Sequence, residues 1–333
     1  MKALILAGGL GTRLRPLTYS RPKHLLPIAN RPHIEHVLDL LLAHSVEEVV
    51  LLTSYLAEAF AETVESARAR GMRVEVAREE EPLGTAGALK NAEAFVGDDT
   101  FFAFNGDVLT DVDLAEVLQF HRARGAVTTI LLTPVEDPSA FGVVPTEDDG
   151  RVTGFIEKPP PGEAPTNLIN AGVYVFEPSV LERIPKGEVW SAERSLFPEL
   201  VAGGAPVFAL GTDAYWMDIG TPEKYLQANV DALTGRYRTS AVPEPGEGVS
   251  LIASSAEIAE GARVSSASIG ADVVVGANAI VERSVLLPGA VVGAGASVSD
   301  STLGQGARVA PGAGIVNRAI ADGDEVGAET EES

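Results

Sequence analysis

A glycine-rich segment near the start of the chain combines accessible backbone with fixed positive charge. It reads LAGGLGTRLRPLTYSRPKHLLPIAN, from Leu6 to Asn30. Glycines let backbone N–H groups approach an anion closely, and the guanidinium of Arg13 suits phosphate oxygens. The third glycine of a dinucleotide fingerprint is missing, because Leu14 stands there, and no Gly-Lys-Ser/Thr of a P-loop follows. The local pattern therefore leaves two alternatives open, a phosphate-binding loop and an ordinary strand-to-helix turn.

Other charged residues stand at the ends of predicted strands. Asp107 follows the apolar run FFAFNG, where a carboxylate suits Mg²⁺, although Asn-Gly-Asp is also common in turns. Glu157 and Lys158 precede two prolines in GFIEKPP, and their alternative interpretation is an exposed ion pair of little energetic weight. The chain has six lysines, so the presence of Lys23 and Lys158 on these motifs favours a functional role.

Composition limits the classes of protein to which this chain can belong. Its 333 residues predict two domains, and a hydrophobic content of 45% predicts packed cores. A formal net charge of −22 argues against nucleic acids and anionic membranes as partners. No apolar run is long enough for a membrane span, the N-terminal apolar run is too short for a signal peptide, and cysteine is absent. We therefore expect a cytoplasmic protein.

The first part of the chain, residues 1–235, alternates strand-like and helix-like segments. This order predicts an α/β domain with a Rossmann-like mixed sheet, largely parallel, whose ligands lie at the carboxyl ends of the strands. From about residue 142 the pattern changes to a hairpin turned by EDDG. Asp113 is expected to cap one helix, and Thr221 with Pro222 is expected to begin the last one.

The second part of the chain has a different period. From Ile252 to Val326, apolar residues recur in steps of 6, 6 and 5, often followed by glycine. This hexapeptide repeat predicts a left-handed parallel β-helix over residues 251–328, after a linker at 236–250 and before an acidic tail at 329–333. No histidine follows His121 and no lysine follows Lys224, which disfavours an acyltransferase or scaffold centred on the β-helix. We expect this domain to assemble a homo-oligomer or to regulate activity.

The order of several motifs resembles the sugar-nucleotide pyrophosphorylases, which are nucleotidyltransferases acting on sugar 1-phosphates. The matching stretches are, in order, GGLGTRLRPLT, RPKHLLPIANRP, EPLGTAGAL, FNGDVL, FGVV, GFIEKP, NAGVYVF and WMDIGTPEKY. The first two are highly specific, and together the motifs span the whole first domain. A β-helix also follows the catalytic domain in several branches of this family.

The resemblance implies a role for each matching residue. The catalytic residues would be Arg13 and Lys23, beside the departing pyrophosphate and the α-phosphate, and Lys158 on the sugar phosphate. Gly142, Glu157 and Asn170 would bind the sugar. Asp107 and Asp218 would hold Mg²⁺. The nucleotide would contact a larger set of residues: Leu6, Ala7, Gly8, Gly9, Gly11, Pro82, Gly84, Thr85, Asn105 and Gly106.

The stretch EPLGTAGAL most resembles mannose-1-phosphate guanylyltransferases. This similarity implies that GTP and mannose 1-phosphate react to give GDP-mannose and pyrophosphate. A carboxylate such as Glu80 or Glu81 could accept the N1–H and N2–H groups of guanine, and Thr85 could cap the following helix. The alternatives are a thymidylyl- or uridylyltransferase acting on glucose 1-phosphate and a non-catalytic regulatory subunit that binds GDP-mannose.

Overall fold

The computed structural model of the protein describes residues 1–54 and 56–327. The chain divides into two compact units. The first comprises Met1–Gly9 and Val37–Trp216, and the second comprises Leu10–His36 and the chain from Met217 onward. The predicted end of the β-helix at Ala328 and the predicted tail at 329–333 lie outside the described residues.

The first unit is centred on a mixed sheet that has nine strands among the described residues. The order across the sheet is β7-β6-β8-β4-β1-β2-β3, with β5 pairing with β8 and β9 pairing with β5. The strands in chain order are β1 Lys2–Leu6, β2 Glu48–Thr53, β3 Arg73–Arg78, β4 Phe101–Asn105, β5 Thr128–Pro134, β6 Gly142–Val143, β7 Ile156–Glu157, β8 Leu168–Phe176 and β9 Val207–Gly211.

Strands β1 to β4 are parallel, as the alternating pattern predicted. Leu6 at the end of β1 is in register with Leu52 on β2 and with Asn105 on β4. β1, β2 and β4 are buried on both sides, which explains their near-continuous apolar sequences, whereas β3 at the edge of the sheet exposes four of its six residues. Strand β8 runs antiparallel to β4 and β5, and its register with β5 shifts between Asn170 and Tyr174. The predicted EDDG hairpin is present, because Thr146 bridges to Val152 across it.

Helices cover the sheet of the first unit. Asp113 caps the helix Leu114–Arg124, since its side chain accepts hydrogen bonds from the N–H groups of Ala115 and Glu116, which confirms the expected cap. The α-helices of this part of the chain are His33–Ala43, which begins in the second unit, Ala61–Ala69, Gly84–Asn91, Glu93–Val96, Leu114–Arg124 and Phe197–Ala202. The shorter helical turns are Ala57–Phe60, Pro138–Ala140 and Pro178–Arg183, with a π-helix at Ala192–Leu196.

The second unit begins with the segment Leu10–His36, which has little regular structure. It contains two 3₁₀ turns, Thr12–Leu14 and Lys23–Leu25, and a hairpin that pairs Pro27–Ile28 with Arg31–Pro32. The helix Pro222–Thr234 packs in the same unit. Its N-cap is Thr221, whose side chain accepts a hydrogen bond from the N–H of Lys224, and Gly235 ends it in the left-handed conformation, as expected. Two further short strands are Val108–Thr110 and Trp216–Asp218. The first lies in the first unit, and the second spans the boundary between the units, which falls after Trp216.

The rest of the second unit consists of parallel strands stacked in three sheets, consistent with the predicted left-handed β-helix. Strands pair at a spacing of 17 residues, as in the register of Leu251 with Ser268. The first sheet contains Leu251–Ile252, Ser268–Ile269, Val285–Leu286, Thr302–Leu303 and Ala319–Ile320. The second contains Glu257–Ile258, Val274–Val275, Val291–Val292, Arg308–Val309 and Glu325–Val326. The third contains Arg263–Ser265, Ile280–Glu282, Ser297–Ser299 and Gly314–Val316.

The apolar repeat predicted from sequence forms the interior of these coils. Ten repeat positions, from Ile269 to Ile320, are buried in one cluster. Ile252 and Ile258 in the first coil remain exposed, because a terminal coil has a neighbour on one side only. Across the described residues, the helices fall short of the length and apolar character that crossing a bilayer would require.

Candidate active site

The carboxyl edge of the parallel strands in the first unit gathers the residues expected to bind the nucleotide. The N–H of Ala7 donates to the carbonyl of Leu52 (2.8 Å), and the N–H of Gly106 donates to the carbonyl of Leu6 (3.0 Å). These bonds hold the ends of β1, β2 and β4 side by side. Gly9 adopts a positive φ of 99° immediately after this edge, as the backbone turns away from β1. Asp107 follows Gly106 and is half-buried at the same edge.

A buried carboxylate that sequence reasoning missed lies beside the glycine loop. Glu79 follows β3 and is only 7% exposed, whereas Glu80 and Glu81 are both exposed. One of its oxygens stands 3.8 Å from the position that a Cβ on Gly8 would occupy. The other accepts a hydrogen bond from the N–H of Leu83 (3.3 Å). Burial raises the pKa of the Glu79 carboxyl, and the bond from Leu83 acts in the opposite direction.

The segment expected to contact the base lies against the backbone around Trp190. Gly84 has a φ of 75°, and a Cβ there would stand 2.8 Å from the carbonyl oxygen of Trp190. The N–H groups of Ala86 and Gly87 both donate to that same oxygen, at 2.9 and 3.0 Å. A side chain at position 84 is therefore incompatible with this packing. The close approach explains why the segment needs glycine here.

The expectation that Thr85 caps the following helix is wrong. The helix Gly84–Asn91 has no side-chain cap. Instead, the hydroxyl of Thr85 donates to Glu193 (2.8 Å) and accepts from the N–H of Ala192 (2.7 Å). Thr85 therefore ties its own segment to the π-helix Ala192–Leu196, a distant contact that no local pattern encodes.

The residues expected to bind the sugar are also in the first unit. A Cβ on Gly142 would stand 3.1 Å from a carboxylate oxygen of Glu157, so Glu157 lies directly over the Gly142 backbone. Lys158 has a positive φ of 52° and donates its N–H to the carbonyl of Phe141 (2.9 Å). Its ammonium group is 3.8 Å from Glu157 and its side chain is 59% exposed. The ammonium is thus accessible to an anionic group, with Glu157 beside it.

Asn170 is held by its neighbours on the same strand. Its side-chain N–H donates to the hydroxyl of Tyr174 (2.8 Å), and its oxygen accepts from the N–H of Gly172 (3.0 Å). Burial raises the pKa of Tyr174 well above its usual range, so this hydroxyl stays neutral. The bulge between Asn170 and Tyr174 therefore fixes the orientation of an amide that can bond to hydroxyl groups.

Two aromatic residues of the first unit, missed by sequence reasoning, flank this set. The rings of Phe141 and Trp216 meet edge to face, with centroids 5.7 Å apart. The indole N–H of Trp216 donates to the carbonyl of Ala171 (2.8 Å). Phe141 and Ala171 are the immediate neighbours of Gly142 and Asn170, so these rings buttress the predicted sugar-binding residues. The only sequence signal was the tryptophan that opens WMDIG.

The second unit contains the other predicted catalytic residues. A Cβ on Gly11, whose φ is 59°, would stand 3.2 Å from Cβ of Lys23 and 3.2 Å from a side-chain carbon of Thr18. The hydroxyl of Thr18 donates to the carbonyl of Gly11 (2.8 Å). The structure therefore brings Gly11 and Lys23 together, although they are separated along the chain. Glycine at position 11 leaves room for the lysine stem.

Asp218 lies among cations in the second unit. One of its carboxylate oxygens is ion-paired with the ammonium of Lys224. A Cβ on Gly220 would stand 3.1 Å from the other oxygen and 3.2 Å from a guanidinium nitrogen of Arg13. Arg13 and Asp218 thus approach the same point on the backbone of Gly220. Lys224, on the first turn of the last helix, is a further charged residue that the sequence motifs did not single out.

Each unit contains one carboxylate that was predicted as a metal ligand, Asp107 in the first and Asp218 in the second. The described residues contain no group of three or more His, Cys, Asp or Glu side chains that could hold a metal alone. Asp107 and Asp218 each offer a carboxylate, and Mg²⁺ is commonly bound by one or two carboxylates together with waters and substrate phosphates.

The predicted residues thus fall into two groups. The first unit contains Leu6, Ala7, Gly8, Gly9, Pro82, Gly84, Thr85, Asn105, Gly106, Asp107, Gly142, Glu157, Lys158 and Asn170. The second unit contains Gly11, Arg13, Lys23 and Asp218. Within the first unit the structure adds Glu79, Phe141 and Trp216 to the predicted set. Within the second unit it adds Lys224.

Comparison with known proteins shows the family to which the chain is similar. A family model described as nucleotidyl transferase matches residues 2–235, and one described as the GMPPB C-terminal domain matches residues 247–332. The mannose-1-phosphate guanylyltransferase of Mycobacterium tuberculosis is 40% identical over 299 residues, which cover 84% of this chain and 83% of that protein. The UTP--glucose-1-phosphate uridylyltransferase of Synechocystis is 38% identical over 256 residues, which cover 73% of this chain and 66% of that protein.

A solved structure shows the same fold. HddC from Yersinia pseudotuberculosis, crystallised in a complex with GMP-PN, is 30% identical and aligns with a TM-score of 0.60 over 68% of this chain and 97% of that chain. Nucleotidyltransferases of this kind act on a nucleoside triphosphate and a sugar 1-phosphate and use a divalent metal ion. From its family match, its relatives and its fold, the chain belongs to the nucleotidyl transferase family, as a sugar-1-phosphate nucleotidyltransferase.

Proposed function

We propose that this protein is a mannose-1-phosphate guanylyltransferase, which converts GTP and mannose 1-phosphate into GDP-mannose and pyrophosphate. The structural observation that carries the choice of base is the buried Glu79 carboxylate beside Gly8. The Mycobacterium tuberculosis relative, which bears this activity in its name, supports the same choice.

Glu79 suits guanine for a simple chemical reason. Guanine presents two neighbouring donors, N1–H and N2–H, and an ionised carboxylate offers only acceptors. Uracil and thymine present a carbonyl oxygen beside N3–H. One carboxylate oxygen would therefore face that carbonyl oxygen, and two acceptors cannot form a hydrogen bond. Glu79 is held by Leu83, whose N–H occupies one of its oxygens, and it borders the backbone of the glycine loop. Glu80 and Glu81 are exposed and lack this restraint.

The reaction is an in-line displacement at phosphorus. An oxygen of the sugar phosphate forms a bond to the α-phosphorus of GTP while the bond from that phosphorus to the bridging oxygen of pyrophosphate breaks. The bonding electron pair leaves with pyrophosphate. The nucleophile is already an anion, so no covalent enzyme intermediate and no general base are required. Catalysis then consists of positioning and of neutralising charge.

The cations of the chain supply that neutralisation. Lys158, exposed beside Glu157, binds the sugar phosphate. The Glu157 carboxylate accepts hydrogen bonds from sugar hydroxyls, and the Asn170 amide donates to them or accepts from them. Arg13 and Lys23 balance the negative charge that develops on pyrophosphate as it departs. Gly11 places the stem of Lys23 against the loop that follows β1.

A divalent cation, proposed as Mg²⁺, would be held by Asp107 and Asp218 and would lower the charge on the phosphates when bound. Asp107 follows directly on the Gly106 turn at the strand edge. Asp218 is ion-paired with Lys224, which fixes the orientation of its carboxylate. Both residues therefore present oxygen ligands of the type that Mg²⁺ prefers.

We also propose that the protein forms a homo-oligomer through its β-helix. The first coil exposes Ile252 and Ile258, and the outer edges of its strands have no further coil to pair with in the described unit. Light scattering at micromolar concentration should give a mass above one chain. A monomeric mass would contradict the proposal.

A matrix of substrates tests the proposed activity. Pyrophosphate release is measured with GTP, UTP, dTTP and ATP against mannose 1-phosphate and glucose 1-phosphate, with Mg²⁺ present. The proposal expects the highest kcat/KM for GTP with mannose 1-phosphate. A maximum for UTP or dTTP with glucose 1-phosphate would overturn it in favour of the uridylyl- or thymidylyltransferase alternative. Binding of GDP-mannose without turnover of any pair would instead support the regulatory-subunit alternative.

A further inference from the structure

The last coils of the β-helix hold the segment that contains the predicted catalytic lysine. In the second unit, the guanidinium of Arg21 donates to Asp322 (2.7 Å) and to the side chain of Gln305 (2.8 Å). The hydroxyl of Ser20 also donates to Asp322. Arg21 and Asp322 are thus in contact although 301 positions separate them along the chain. We refer to these four residues, Ser20, Arg21, Gln305 and Asp322, as the clamp.

The β-helix side of the clamp is held by a hydrogen bond between two coils. One oxygen of Asp322 accepts the backbone N–H of Gln305 (2.7 Å), and the other receives Ser20 and Arg21. The Asp322 carboxylate therefore links two successive coils to each other and to the segment that contains Ser20 and Arg21. Gly304 is required for this packing, since a Cβ there would stand 2.7 Å from an oxygen of Asp322. The ion pair is partly buried, with side-chain exposures of 18% for Arg21 and 26% for Asp322.

The connection from the clamp to Lys23 is short and stiff. Only Pro22 separates Arg21 from Lys23, and its ring restricts φ, which is −59° here. The N–H of Leu25 donates to the carbonyl of Pro22 (3.0 Å) and the N–H of Leu26 donates to that of Lys23 (3.2 Å). A 3₁₀ turn therefore begins immediately after the proline. A displacement of Arg21 would be passed directly to the backbone of Lys23.

The same segment is anchored again beyond Lys23. The side chain of Asn30 donates to the carbonyl of Ile269 in the β-helix (2.8 Å). Asn229 accepts the N–H of Ala29 (2.9 Å), and the hydroxyl of Tyr225 donates to the carbonyl of Pro27 (2.7 Å). The 3₁₀ turn with Lys23 therefore lies between two anchors, the clamp before it and these contacts of residues 27–30 after it. The clamp contains the ion pair between Arg21 and Asp322, whereas the three contacts of the second anchor are hydrogen bonds.

We infer that Asp322 and Arg21 are positioning residues for the nucleotidyl transfer, acting through Lys23. This inference rests on the proposed function only in assigning Lys23 to catalysis. It gives the β-helix a direct part in turnover besides any assembly role. Because misplacing a catalytic group by about 1 Å can cost roughly 10²-fold in rate, losing the clamp should lower kcat by about ten- to a hundredfold.

The test compares Asp322→Asn with Asp324→Asn in the full-length protein. Asp324 is an exposed carboxylate two residues away, so it controls for the loss of one negative charge on the same coil. With the best substrate pair from the matrix, Asp322→Asn should lower kcat while the KM values for both substrates change little. Asp324→Asn should match the wild type. Equal kcat for the wild type and Asp322→Asn would overturn the inference.

A double-mutant cycle with Lys23→Ala separates positioning from general damage. If Asp322 acts through Lys23, adding Asp322→Asn to Lys23→Ala should cause little further loss of kcat. A purely structural role would multiply the two losses and would refute the inference. Arg21→Lys, which retains the charge, should recover part of the activity that Arg21→Ala loses.

Hydrogen exchange provides a readout that does not depend on turnover. The amides of Leu25 and Leu26 form the 3₁₀ turn at Lys23, so their protection should fall in Asp322→Asn and stay unchanged in Asp324→Asn. Unchanged protection in Asp322→Asn would contradict the inference. If no substrate pair turned over, the proposed function would fail, and the exchange experiment would still decide whether the clamp orders the segment.

Discussion

Gly172 lies against the side chain of Asn105, so closely that a Cβ at position 172 would stand 2.8 Å from the amide nitrogen of Asn105. Gly172 is on the bulged part of β8, and Asn105 is the last residue of β4. The contact joins the strand that presents Asn170 to the edge that presents Gly106 and Asp107. One glycine thus allows the predicted sugar-binding and nucleotide-binding residues of the first unit to lie on neighbouring strands.

Substituting Gly172 with alanine should destabilise the protein. The φ of 73° disfavours a side chain, and the clash with Asn105 adds to the cost, which together should lower the free energy of unfolding by about 1–3 kcal/mol. Gly154→Ala is the matched control, since a Cβ there meets nothing within 4 Å. Urea denaturation measures both variants. Equal stability of Gly172→Ala and Gly154→Ala would contradict the assigned strain.

Glu79→Gln should weaken GTP recognition. An amide offers one acceptor and one donor where guanine requires two acceptors, so we expect kcat/KM for GTP to fall by roughly 10- to 100-fold, the usual cost of a charge-assisted hydrogen bond. Turnover with UTP should not fall in parallel. Glu80→Gln serves as the control because Glu80 is exposed. If Glu80→Gln lost GTP selectivity and Glu79→Gln retained it, the assignment would be wrong.

Glu79 should also affect stability in a pH-dependent manner. Burial raises the pKa of this carboxyl, so the folded state holds its proton to a higher pH than the unfolded chain does. As pH rises from about 4.3, the usual glutamate pKa, through the raised pKa, the wild type should lose stability relative to Glu79→Gln. Urea unfolding at a series of pH values measures this difference. A difference that stayed constant across the window would rule out the raised pKa.

Lys23→Ala should lower kcat by a factor on the order of 10² or more, comparable to the loss of one preorganised donor to a developing oxyanion. Single-turnover measurement of pyrophosphate release checks the chemical step directly. Lys186→Ala, at an exposed position outside the site, is the control and should behave as the wild type. Near-normal turnover of Lys23→Ala would remove Lys23 from the mechanism.

Because Asp218 is paired with Lys224, substitutions of these two residues should change the Mg²⁺ requirement in opposite directions. Lys224→Met removes a cation that competes for the carboxylate, so half-maximal activity should need about two- to fivefold less Mg²⁺, in line with ~0.5–1 kcal/mol for a partly exposed pair. Asp218→Asn and Asp107→Asn should each need more Mg²⁺. Lys186→Met is the charge-matched control. An unchanged Mg²⁺ titration in Asp218→Asn and Asp107→Asn would reject the metal assignment.

Local patterns in the sequence were sufficient for the architecture. The steps of 6, 6 and 5 recur because each coil must bury its apolar residues inside, and the structure pairs strands at the sum of those steps, 17 residues. Asp113 and Thr221 were recognisable as helix caps, because a cap bonds to N–H groups only two or three residues away. The strand-end positions of Gly106 and Asp107 followed from the alternation of strands and helices.

The tertiary structure alone decided contacts that join distant parts of the chain. Of three consecutive glutamates, only Glu79 is buried beside Gly8, and this depends on the packing of β3 against β2 rather than on the residue type. Thr85 has the residue type of a helix cap, yet it bonds to Glu193, 108 positions later. Arg21 meets Asp322 because the stacked coils return to the segment before Lys23. Burial and long-range pairing form only when the whole chain folds and loses conformational entropy. A local sequence pattern determines only the local preferences, and the folded structure then combines them.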